Sequence, residues 1–266
     1  MNTQERVAII GGEGKWGKKT TELFHKLGHD VVISDPKSEI FIHPVDAIRQ
    51  SQIIFFSVLP VEEIDNIITE AGQDIRSGQV VMDNASVKTP FASSFRNLAE
   101  RGVSVCSTHP MCAPEIDLIG QKSLIMRVGT SSQKAECLAE KLFQSGGMVT
   151  IPFDFEQHDK AMTTIQALPH LVMRSVGLLM SEEGLGLEDL LKIASPNFEL
   201  FNTSLQRVLN QSPEISATII NSAARRQSGK AFAEHFIECI ERVLSMDKNE
   251  MSNAFAAANN QLKGVE

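Results

Sequence analysis

The chain of 266 residues lacks the features that mark several classes of protein. Its four cysteines show no C-x-x-C spacing, so a zinc site is disfavoured and the thiols are expected to stay reduced. It has no stretch of about 18–20 apolar residues that could span a bilayer. The N-terminus is polar, and the apolar run Val7–Ile10 is too short for the core of a signal peptide. We therefore expect a cytoplasmic protein with no metal site and no membrane contact.

The sequence also lacks an excess of positive charge. It has 25 Lys and Arg residues against 33 Asp and Glu residues, a formal net charge of −8. Nucleic-acid binding without sequence preference needs a basic face, so no nucleic-acid partner is expected. Hydrophobic residues make up 42% and charged residues 22%, a balance typical of folded globular proteins.

The first half of the chain alternates short apolar runs with amphipathic stretches. Each run is rich in Val, Ile or Phe, as strands buried on both faces are. Strand, helix and strand in this rhythm predict an α/β fold with a Rossmann-type, doubly wound parallel sheet. The predicted strands are Val7–Ile10, Val31–Ser34, Ile53–Val58, Val80–Met82, Val103–Ser107, Ser123–Val128 and Met148–Ile151.

The second half has a different pattern, with apolar residues at helical spacing and no alternating strands. The stretch from Met162 to Leu179 predicts one long helix with a kink at Pro169. Ser195 and Ser212 each precede a proline, which indicates an N-cap followed by the first helical turn. The predicted domains are a nucleotide-binding domain over residues 1–152 and an all-helical C-terminal domain over residues 153–266.

A glycine-rich motif follows the first predicted strand and opens the first helix. It reads Gly12-Glu13-Gly14-Lys15-Trp16-Gly17, the G-x-G-x-x-G fingerprint of dinucleotide binding in the context it requires. Gly12 permits the tight turn, Gly14 lets the backbone approach a pyrophosphate, and Gly17 allows close packing of helix on sheet. The helix N-terminus offers unpaired N–H groups to the phosphates. Lys15 is either a phosphate ligand or a solvent-facing residue.

Asp35 ends the second predicted strand, 23 residues after Gly12. A carboxylate at this position accepts hydrogen bonds from the adenosine ribose hydroxyls and repels a 2′-phosphate, so the pattern favours NAD over NADP. The alternative is a solvated aspartate beside a turn that needs glycine. The predicted cofactor-binding residues are Gly12, Gly14, Lys15, Trp16, Gly17, Asp35, Ser57, Val58 and Leu59.

Polar residues follow three of the predicted strands, at the edge of the sheet where ligands bind in open α/β folds. Ser57 closes the third strand, the segment from Asp83 to Lys88 follows the fourth, and His109 follows the fifth. His109 is the strongest candidate for chemistry, because an imidazole accepts or polarises a hydroxyl proton near neutral pH. The alternative is a structural histidine at a strand end.

The helical half contributes candidates of its own. Four residues fall at i, i+3, i+7 and i+11 on one face of a regular helix, namely Asp159, Met162, Gln166 and His170. A helix-end aspartate and a buried, hydrogen-bonded histidine would explain this stripe without a ligand. Arg207 lies among apolar neighbours, where its guanidinium either holds a carboxylate by two hydrogen bonds or stays at the surface.

Together these motifs resemble the prephenate dehydrogenase family, and in particular the dehydrogenase portion of the enteric-type enzymes. The resemblance covers roughly Val7 to Asn210 and weakens through the last helices. Beside it we expect neither a chorismate mutase region nor a regulatory domain. The motifs that carry it are Gly11 to Gly17, Asp83 to Lys88, His109 to Pro114, Glu156 to Met162 with Gln166 and His170, and Ser195-Pro196 with Arg207.

The resemblance implies oxidative decarboxylation of prephenate to 4-hydroxyphenylpyruvate, the precursor of tyrosine. NAD takes hydride from C4 of the ring, the ring carboxylate leaves as CO2, and aromatisation drives the step without a metal. It further implies that His109 binds the 4-hydroxyl and that Arg207 holds a substrate carboxylate. Ser86 would donate to or accept from that hydroxyl or His109. The implied catalytic residues are therefore His109, Ser86 and Arg207.

The resemblance also implies further site residues and an oligomeric state. His170 and Gln166 would line the substrate pocket, and Glu115 would gate access to it. A homodimer built through the helical half is implied as well. The predicted substrate-binding residues are Ser86, His109, Gln166, His170 and Arg207.

One departure from the family leaves the substrate open. Ala113 stands in the loop beside His109 where the family commonly has glycine. The methyl group of alanine narrows the range of allowed backbone conformations or fills part of the pocket. The alternatives are 4-amino-4-deoxyprephenate, on the route to 4-aminophenylalanine, and arogenate, which differs at the side-chain end. A further alternative is a protein that binds NAD but is not an enzyme. The presence of both His109 and Arg207 argues against it.

Overall fold

The computed structural model describes residues 4–184, 186–225 and 227–263. Contacts between Cα atoms divide the chain into two compact units, Met1–Ala161 and Met162–Glu266. The first unit has α/β structure and the second is helical. The boundary predicted after residue 152 falls at the end of the last strand, whereas the two units part within the helix that follows.

Seven strands form one sheet in the first unit, in the order β2-β1-β3-β4-β5-β6-β7. Each lies on a predicted strand, with ends shifted by three residues or fewer, because apolar β-rich runs between turn residues are a local signal. The strands are β1 (Arg6–Ile10), β2 (Asp30–Ser34), β3 (Ile53–Phe56), β4 (Val80–Asp83), β5 (Ser104–Pro110), β6 (Lys122–Val128) and β7 (Val149–Pro152).

The strand directions confirm a doubly wound sheet with one difference. Strands β1 to β5 pair in parallel, but β6 runs antiparallel to β5 before β7 again pairs in parallel with β6. The predicted doubly wound parallel sheet is therefore confirmed, with the difference that β6 and β7 run opposite to β1 to β5. Five of the seven residues of β6 are buried, so its apolar pattern matches that of a parallel strand and carries no sign of direction.

Helices cover the sheet in the first unit, and the core lies between them and the strands. The rings of Phe24 and Phe55 meet edge to face with 5.9 Å between centroids, and both are fully buried. Burying a side chain of this size stabilises the fold by about 1.5–3 kcal/mol. The helices are α1 (Lys15–Lys26), α2 (Pro44–Arg49), α3 (Glu63–Ala71), α4 (Ala92–Glu100), α5 (Gln133–Ser145) and α6 (Phe155–Met162).

The chain continues from α6 through a π-helical segment, Thr163–Ala167, into α7 (Leu168–Glu182). The long helix predicted here is confirmed, and its irregularity lies directly before Pro169. Proline has no N–H for the carbonyl one turn earlier, which explains why the regular ladder is interrupted there. The wide π turn departs from the 3.6-residue period on which the predicted stripe from Asp159 to His170 rests, so the common face of these residues stays a prediction.

The second unit contains six α-helices among its described residues. Ser195 caps α9 by accepting a hydrogen bond from the backbone N–H of Phe198 at 3.3 Å, and α10 begins at Pro213, as predicted. Within the described ranges, no helix combines the length and apolar character needed to cross a bilayer. After α7 the helices are α8 (Leu187–Lys192), α9 (Pro196–Leu209), α10 (Pro213–Arg225), α11 (Gln227–Ser245) and α12 (Lys248–Lys263).

Candidate active site

The glycine-rich turn lies between β1 and the N-terminus of α1, against the end of β3. Gly11 has a φ of +84°, and a Cβ there would lie 2.3 Å from the carbonyl oxygen of Ser57. A Cβ at Gly17 would lie 2.2 Å from the carbonyl oxygen of Gly11. Only glycine fits at both positions, so the close approach of β1, β3 and α1 depends on them.

The start of α1 has the groups that bind a pyrophosphate. Gly14 is the N-cap residue and makes no side-chain cap bond, and the first N–H groups of a helix have no carbonyl one turn earlier to accept them. A Cβ at Gly14 would meet only the backbone oxygens of Gly11 and Ser57, at 3.3 and 3.9 Å. The open face beside Gly14 therefore fits the phosphates of a dinucleotide.

The side chains of the turn differ in what they contact. Lys15 is exposed and pairs with Glu115, the predicted gating residue. Trp16 is partly buried and packs against the core, so its side chain supports the turn from behind. Gly12 lies against the side chain of Ile33 on β2, which a Cβ would approach to 2.5 Å.

Asp35 follows β2 and is buried beside the turn rather than solvated. One carboxylate oxygen accepts the N–H of Glu13 at 3.0 Å, and the other accepts the N–H of Lys37 at 2.9 Å. A carboxylate offers about four acceptor positions, so these two bonds fix its orientation and leave others for ribose hydroxyls. The arrangement fits the role predicted from the sequence.

The residues after β3 lie against the same turn. The N–H of Ser57 donates to the carbonyl of Ile10 at 2.8 Å, and its hydroxyl accepts the side-chain amide of Asn84 at 3.1 Å. Val58 would lie 2.8 Å from a Cβ at Gly11, and Leu59 is 44% exposed. The structure thus brings Ser57 and Val58 beside the glycine turn, as the cofactor prediction requires.

His109 lies inside β5, not after it as predicted. The strand continues to Pro110 because its last residues pair with β6 beyond the end of β4. The ring is 2% exposed, and its Nδ1 lies 2.9 Å from Nε2 of His158. Burial holds the pKa of His109 well below its usual range, and the nearby His158 and Lys88 act in the same direction. His109 is therefore neutral at neutral pH.

His158 and Asp159, on α6, continue the contact that begins at His109. Nδ1 of His158 lies 2.6 Å from a carboxylate oxygen of Asp159, and burial lowers the pKa of His158 while Asp159 opposes this. Asp159 also accepts the backbone N–H groups of Lys88 and Thr89. The sequence motif contains the His-Asp pair, but no spacing connects residue 158 with residue 109, and sequence reasoning assigned His158 no role.

A buried ion pair holds the segment after β4. Nζ of Lys88 lies 2.5 Å from a carboxylate oxygen of Asp83 and 2.7 Å from the carbonyl oxygen of Thr108. Burial lowers the pKa of Lys88, and the neighbouring Asp83 opposes this. Ser86 lies half-buried in the same segment and makes no hydrogen bond with His109. His158 occupies Nδ1 of His109, and the role expected of Ser86, a hydrogen bond with the substrate hydroxyl or with His109, stays a prediction.

In the second unit, His170 belongs to a polar cluster of its own. Its Nδ1 lies 3.0 Å from the hydroxyl of Ser216, which also accepts Nε of Arg174 at 3.0 Å. Arg174 donates further to the carbonyl of Gln211 at 2.8 Å. Burial lowers the pKa of His170, and Arg174 acts in the same direction. Arg174 was missed from the sequence, because its partners lie about 40 residues away, Ser216 on α10 and Gln211 in the loop before that helix.

The remaining predicted substrate residues also lie in the second unit. Gln166 lies in the π-helical segment, and its side-chain oxygen is buried without a hydrogen-bond partner. Arg207 lies exposed near the end of α9. Among the described residues, no group of three His, Cys, Asp or Glu side chains could hold a metal ion. The roles of Gln166, His170 and Arg207 stay predictions.

Comparison with known protein families gives two matches along this chain. The nucleotide-binding domain of prephenate dehydrogenase matches residues 39–123, and the dimerization domain of prephenate dehydrogenase matches residues 154–258. Together the two matches cover more than half of the chain. The first begins after the glycine turn, so the turn is an independent observation.

Known relatives agree with these matches along nearly the whole chain. The chain is 24% identical over 268 residues to a probable arogenate/prephenate dehydrogenase of Methanocaldococcus jannaschii, covering 96% of this chain and 59% of the relative. It is 24% identical over 261 residues to the T-protein of Enterobacter agglomerans, covering 97% and 66%. The chain thus spans about three fifths to two thirds of the length of these curated relatives.

Solved structures share the fold. Prephenate dehydrogenase from A. aeolicus, in complex with hydroxyphenyl propionate and NAD+, has a TM-score of 0.70 at 15% identity, with 99% of each chain covered. Synechocystis arogenate dehydrogenase has a TM-score of 0.67 at 16% identity, with 98% of this chain and 100% of that chain covered.

Proposed function

Because this chain belongs to the prephenate dehydrogenase family, we propose that it is an NAD-dependent dehydrogenase that decarboxylates prephenate. The observation that carries the proposal is the neutral, buried His109 near the carboxyl end of β5. It lies on the same sheet as a turn that fits a dinucleotide. An imidazole at that edge meets the need of the reaction for a hydrogen-bond acceptor at the ring hydroxyl.

The chemistry balances without further reactants. NAD+ held at the glycine turn would supply the hydride acceptor for C4 of the ring, and with loss of the ring carboxylate prephenate and NAD+ would give 4-hydroxyphenylpyruvate, CO2 and NADH. His109 accepts the hydrogen bond of the C4 hydroxyl at Nε2, because Nδ1 is occupied by His158. It carries part of that proton while C4 is electron-poor and leaves it on the oxygen, which becomes the phenol of the product. Burial of His109 makes this hydrogen bond stronger than it would be in water.

NAD is the proposed cofactor, with Asp35 as the residue that selects it. The Asp35 carboxylate is oriented by the N–H groups of Glu13 and Lys37 and keeps acceptor positions for ribose hydroxyls. A 2′-phosphate at the same place would meet a negative charge. The complex of the A. aeolicus relative with NAD+ supports the same choice.

Prephenate is the proposed substrate, ahead of arogenate and 4-amino-4-deoxyprephenate. The relatives include both a prephenate and an arogenate dehydrogenase. They therefore support a substrate of this class, but they do not distinguish between the two compounds, which differ at the end of the side chain. Ala113 has no positive φ, so alanine fits this backbone without strain. The departure from glycine therefore gives no backbone reason to prefer the 4-amino compound.

A homodimer is the proposed assembly. Ile237, Ile240 and Leu244 recur at helical spacing on α11 and are exposed, the last by 78%. Exposed apolar rows of this kind mark interfaces between proteins. The match of this half to a dimerization domain supports a second copy of the chain as the partner.

The test is a panel of prephenate, arogenate and 4-amino-4-deoxyprephenate, each with NAD and with NADP. We expect the highest kcat/KM for prephenate with NAD, with equal amounts of NADH and 4-hydroxyphenylpyruvate formed. Turnover of another panel member without turnover of prephenate overturns the substrate. NAD binding without turnover of any compound instead supports the NAD-binding protein that lacks catalysis.

Arg207→Gln tests the residue proposed to hold a substrate carboxylate. Loss of a charged hydrogen bond should raise the KM for the substrate by about tenfold or more and leave NAD affinity unchanged. Lys192→Gln, which removes an exposed cation of the same unit paired with Asp189, is the control. An unchanged KM in the Arg207 variant removes Arg207 from the substrate site.

A further inference from the structure

Three side chains of the first unit form a continuous hydrogen-bonded row. A carboxylate oxygen of Asp159 lies 2.6 Å from Nδ1 of His158, and Nε2 of His158 lies 2.9 Å from Nδ1 of His109. All three side chains are buried. We propose that His158, held by Asp159, is a positioning residue that fixes His109 in the tautomer with an unprotonated Nε2. The inference rests on the proposed function, in which that nitrogen accepts the substrate hydroxyl.

The direction of each hydrogen bond follows from the carboxylate. An ionised carboxylate only accepts, so Nδ1 of His158 carries the proton of the 2.6 Å contact with Asp159. A neutral imidazole has one N–H, so Nε2 of His158 is an acceptor. The proton of the 2.9 Å contact therefore belongs to Nδ1 of His109, and Nε2 of His109 keeps its lone pair.

Asp159 is itself held in place by other donors. Its carboxylate accepts the backbone N–H of Lys88 at 3.0 Å, the N–H of Thr89 at 2.8 Å and the hydroxyl of Thr89 at 2.6 Å. These donors come from the segment after β4, so the carboxylate joins that segment to α6. They satisfy the carboxylate in its charged form, which is the form that imposes the direction of the row.

The row has the required direction only while His158 is neutral. A protonated His158 would donate from Nε2 to His109, and the proton of His109 would then lie on Nε2, where no substrate hydroxyl could donate to it. The charged and titratable groups that face His158 are Asp159, Lys88, Asp83 and His109. Burial favours neutral His158, so the row holds at neutral pH and reverses in acid.

Two substitutions of His158 separate the hydrogen bond from the volume of the side chain. His158→Gln places an amide oxygen near the position of Nε2, where it accepts Nδ1–H of His109. His158→Leu fills similar space without an acceptor. Loss of a partner that orients a working imidazole costs about tenfold to a hundredfold in related arrangements. We expect that loss in kcat for the leucine variant, with KM and NAD affinity unchanged, and a kcat within about threefold of the parent for the glutamine variant.

The values of kcat test the proposal, and thermal melting shows whether each variant is folded. Equal losses of kcat in two folded variants overturn it, because the acceptor would then not matter. A kcat of the leucine variant near that of the parent also overturns it. If the leucine variant does not fold, the glutamine variant and the measurement below decide the matter.

The tautomer is also measurable without turnover. In protein labelled with 15N-histidine at neutral pH, we expect His109 to be protonated at Nδ1 and unprotonated at Nε2. A proton on Nε2 of His109 overturns the inference even in an active enzyme. The expected tautomer in a protein that turns over no compound of the panel would leave the row intact and refute the proposed function, so the two failures are distinguishable.

Discussion

Buried charges in the first unit lie next to the candidate catalytic imidazole. Lys88 and Asp83 are among the most buried side chains of the molecule, and their ion pair is completed by the carbonyl of Thr108 and the hydroxyl of Ser107. Desolvating two charges costs much of what their attraction returns. The pair is therefore best understood as an anchor that orders the segment with Ser86 and presents the backbone N–H groups that bind Asp159.

Lys88→Met tests this anchor. The substitution leaves Asp83 buried without its cation, which should lower the free energy of unfolding by about 3–5 kcal/mol. Lys134→Met is the matched control, because Lys134 pairs with Glu5 at 2.9 Å with half of its own side chain exposed. There the expected loss is below about 1 kcal/mol. Denaturant unfolding of both variants measures the difference, and equal losses would contradict the anchor.

His109→Asn tests the imidazole itself. The amide of asparagine lies near the position of Nδ1, so it can still donate to His158 while the acceptor at the position of Nε2 is lost. We expect kcat to fall by about 10²–10⁴, the usual contribution of a general base, with melting temperature and NAD affinity close to those of the parent. A kcat within tenfold of the parent would refute the assignment of His109.

At the scale of the element, the turn between β1 and α1 uses its glycines for two different reasons. Gly17 is required by packing, since a Cβ there would overlap the backbone of Gly11. At Gly14 a Cβ would meet the carbonyl oxygen of Gly11 at 3.3 Å, a much milder contact, and the other side of Gly14 is exposed. Substitution of Gly17 should therefore chiefly affect folding, and substitution of Gly14 should chiefly affect ligand binding.

Gly14→Ala and Gly17→Ala form the corresponding pair of variants. The alanine at position 14 should weaken NAD binding by about tenfold or more, because its methyl group obstructs the ligand side, and should lower the melting temperature much less than the alanine at position 17, because its contact with the Gly11 oxygen is 3.3 Å. The alanine at position 17 should lower the melting temperature, because backbone must move away from a contact of 2.2 Å. Calorimetric NAD titration and thermal melting measure the two effects. Unchanged NAD affinity in the Gly14 variant would refute the proposed pyrophosphate position.

At the scale of the whole molecule, three buried histidines make stability depend on pH. Burial lowers the pKa of His109, His158 and His170 in the folded state below the value of about 6.5 expected in the unfolded chain. Below pH 6.5 the unfolded chain therefore binds more protons than the folded one. Their contribution is fully present above pH 6.5 and is lost as the pH falls toward the folded values.

Thermal melting between pH 5 and pH 7.5 tests this dependence. We expect a constant melting temperature above about pH 7 and a steady fall from about pH 6.5 downward. The carboxyl groups whose pKa is lowered, Asp74 and Glu115, act only in more acidic solution and do not share this window. His109→Asn should make the slope shallower. A melting temperature that does not change from pH 7 to pH 5 would contradict the prediction.

The proposed homodimer is tested by solution mass. Light scattering should give about twice the 29.2 kDa of one chain. Ile237→Asp combined with Leu244→Asp puts charge on the apolar row of α11 and should give a mass near that of the monomer, because buried unpaired charge is costly. Glu238→Ala, on a neighbouring face of the helix, is the control. A dimer that persists in the double variant would place the interface elsewhere.

Local patterns in the sequence predict many of the strands, turns and helix ends of this protein. Each strand is a short apolar run between turn residues, and the glycine turn and the cap at Ser195 depend on neighbours within a few residues. These features are set by backbone sterics and by hydrogen bonds of short range, which composition and spacing record directly. The family, the doubly wound sheet and the position of the glycine turn therefore follow from the sequence alone.

Other features depend on residues far apart in the chain. The antiparallel direction of β6, the extension of β5 past His109 and the row from Asp159 to His109 each join segments that no local pattern connects. The partner of His109 lies 49 residues away. Burial then decides its protonation, because desolvation is a property of everything packed around a ring and not of its neighbours in sequence. The sequence alone thus determined which groups are available for chemistry, and only the tertiary structure decided which nitrogen of His109 carries the proton.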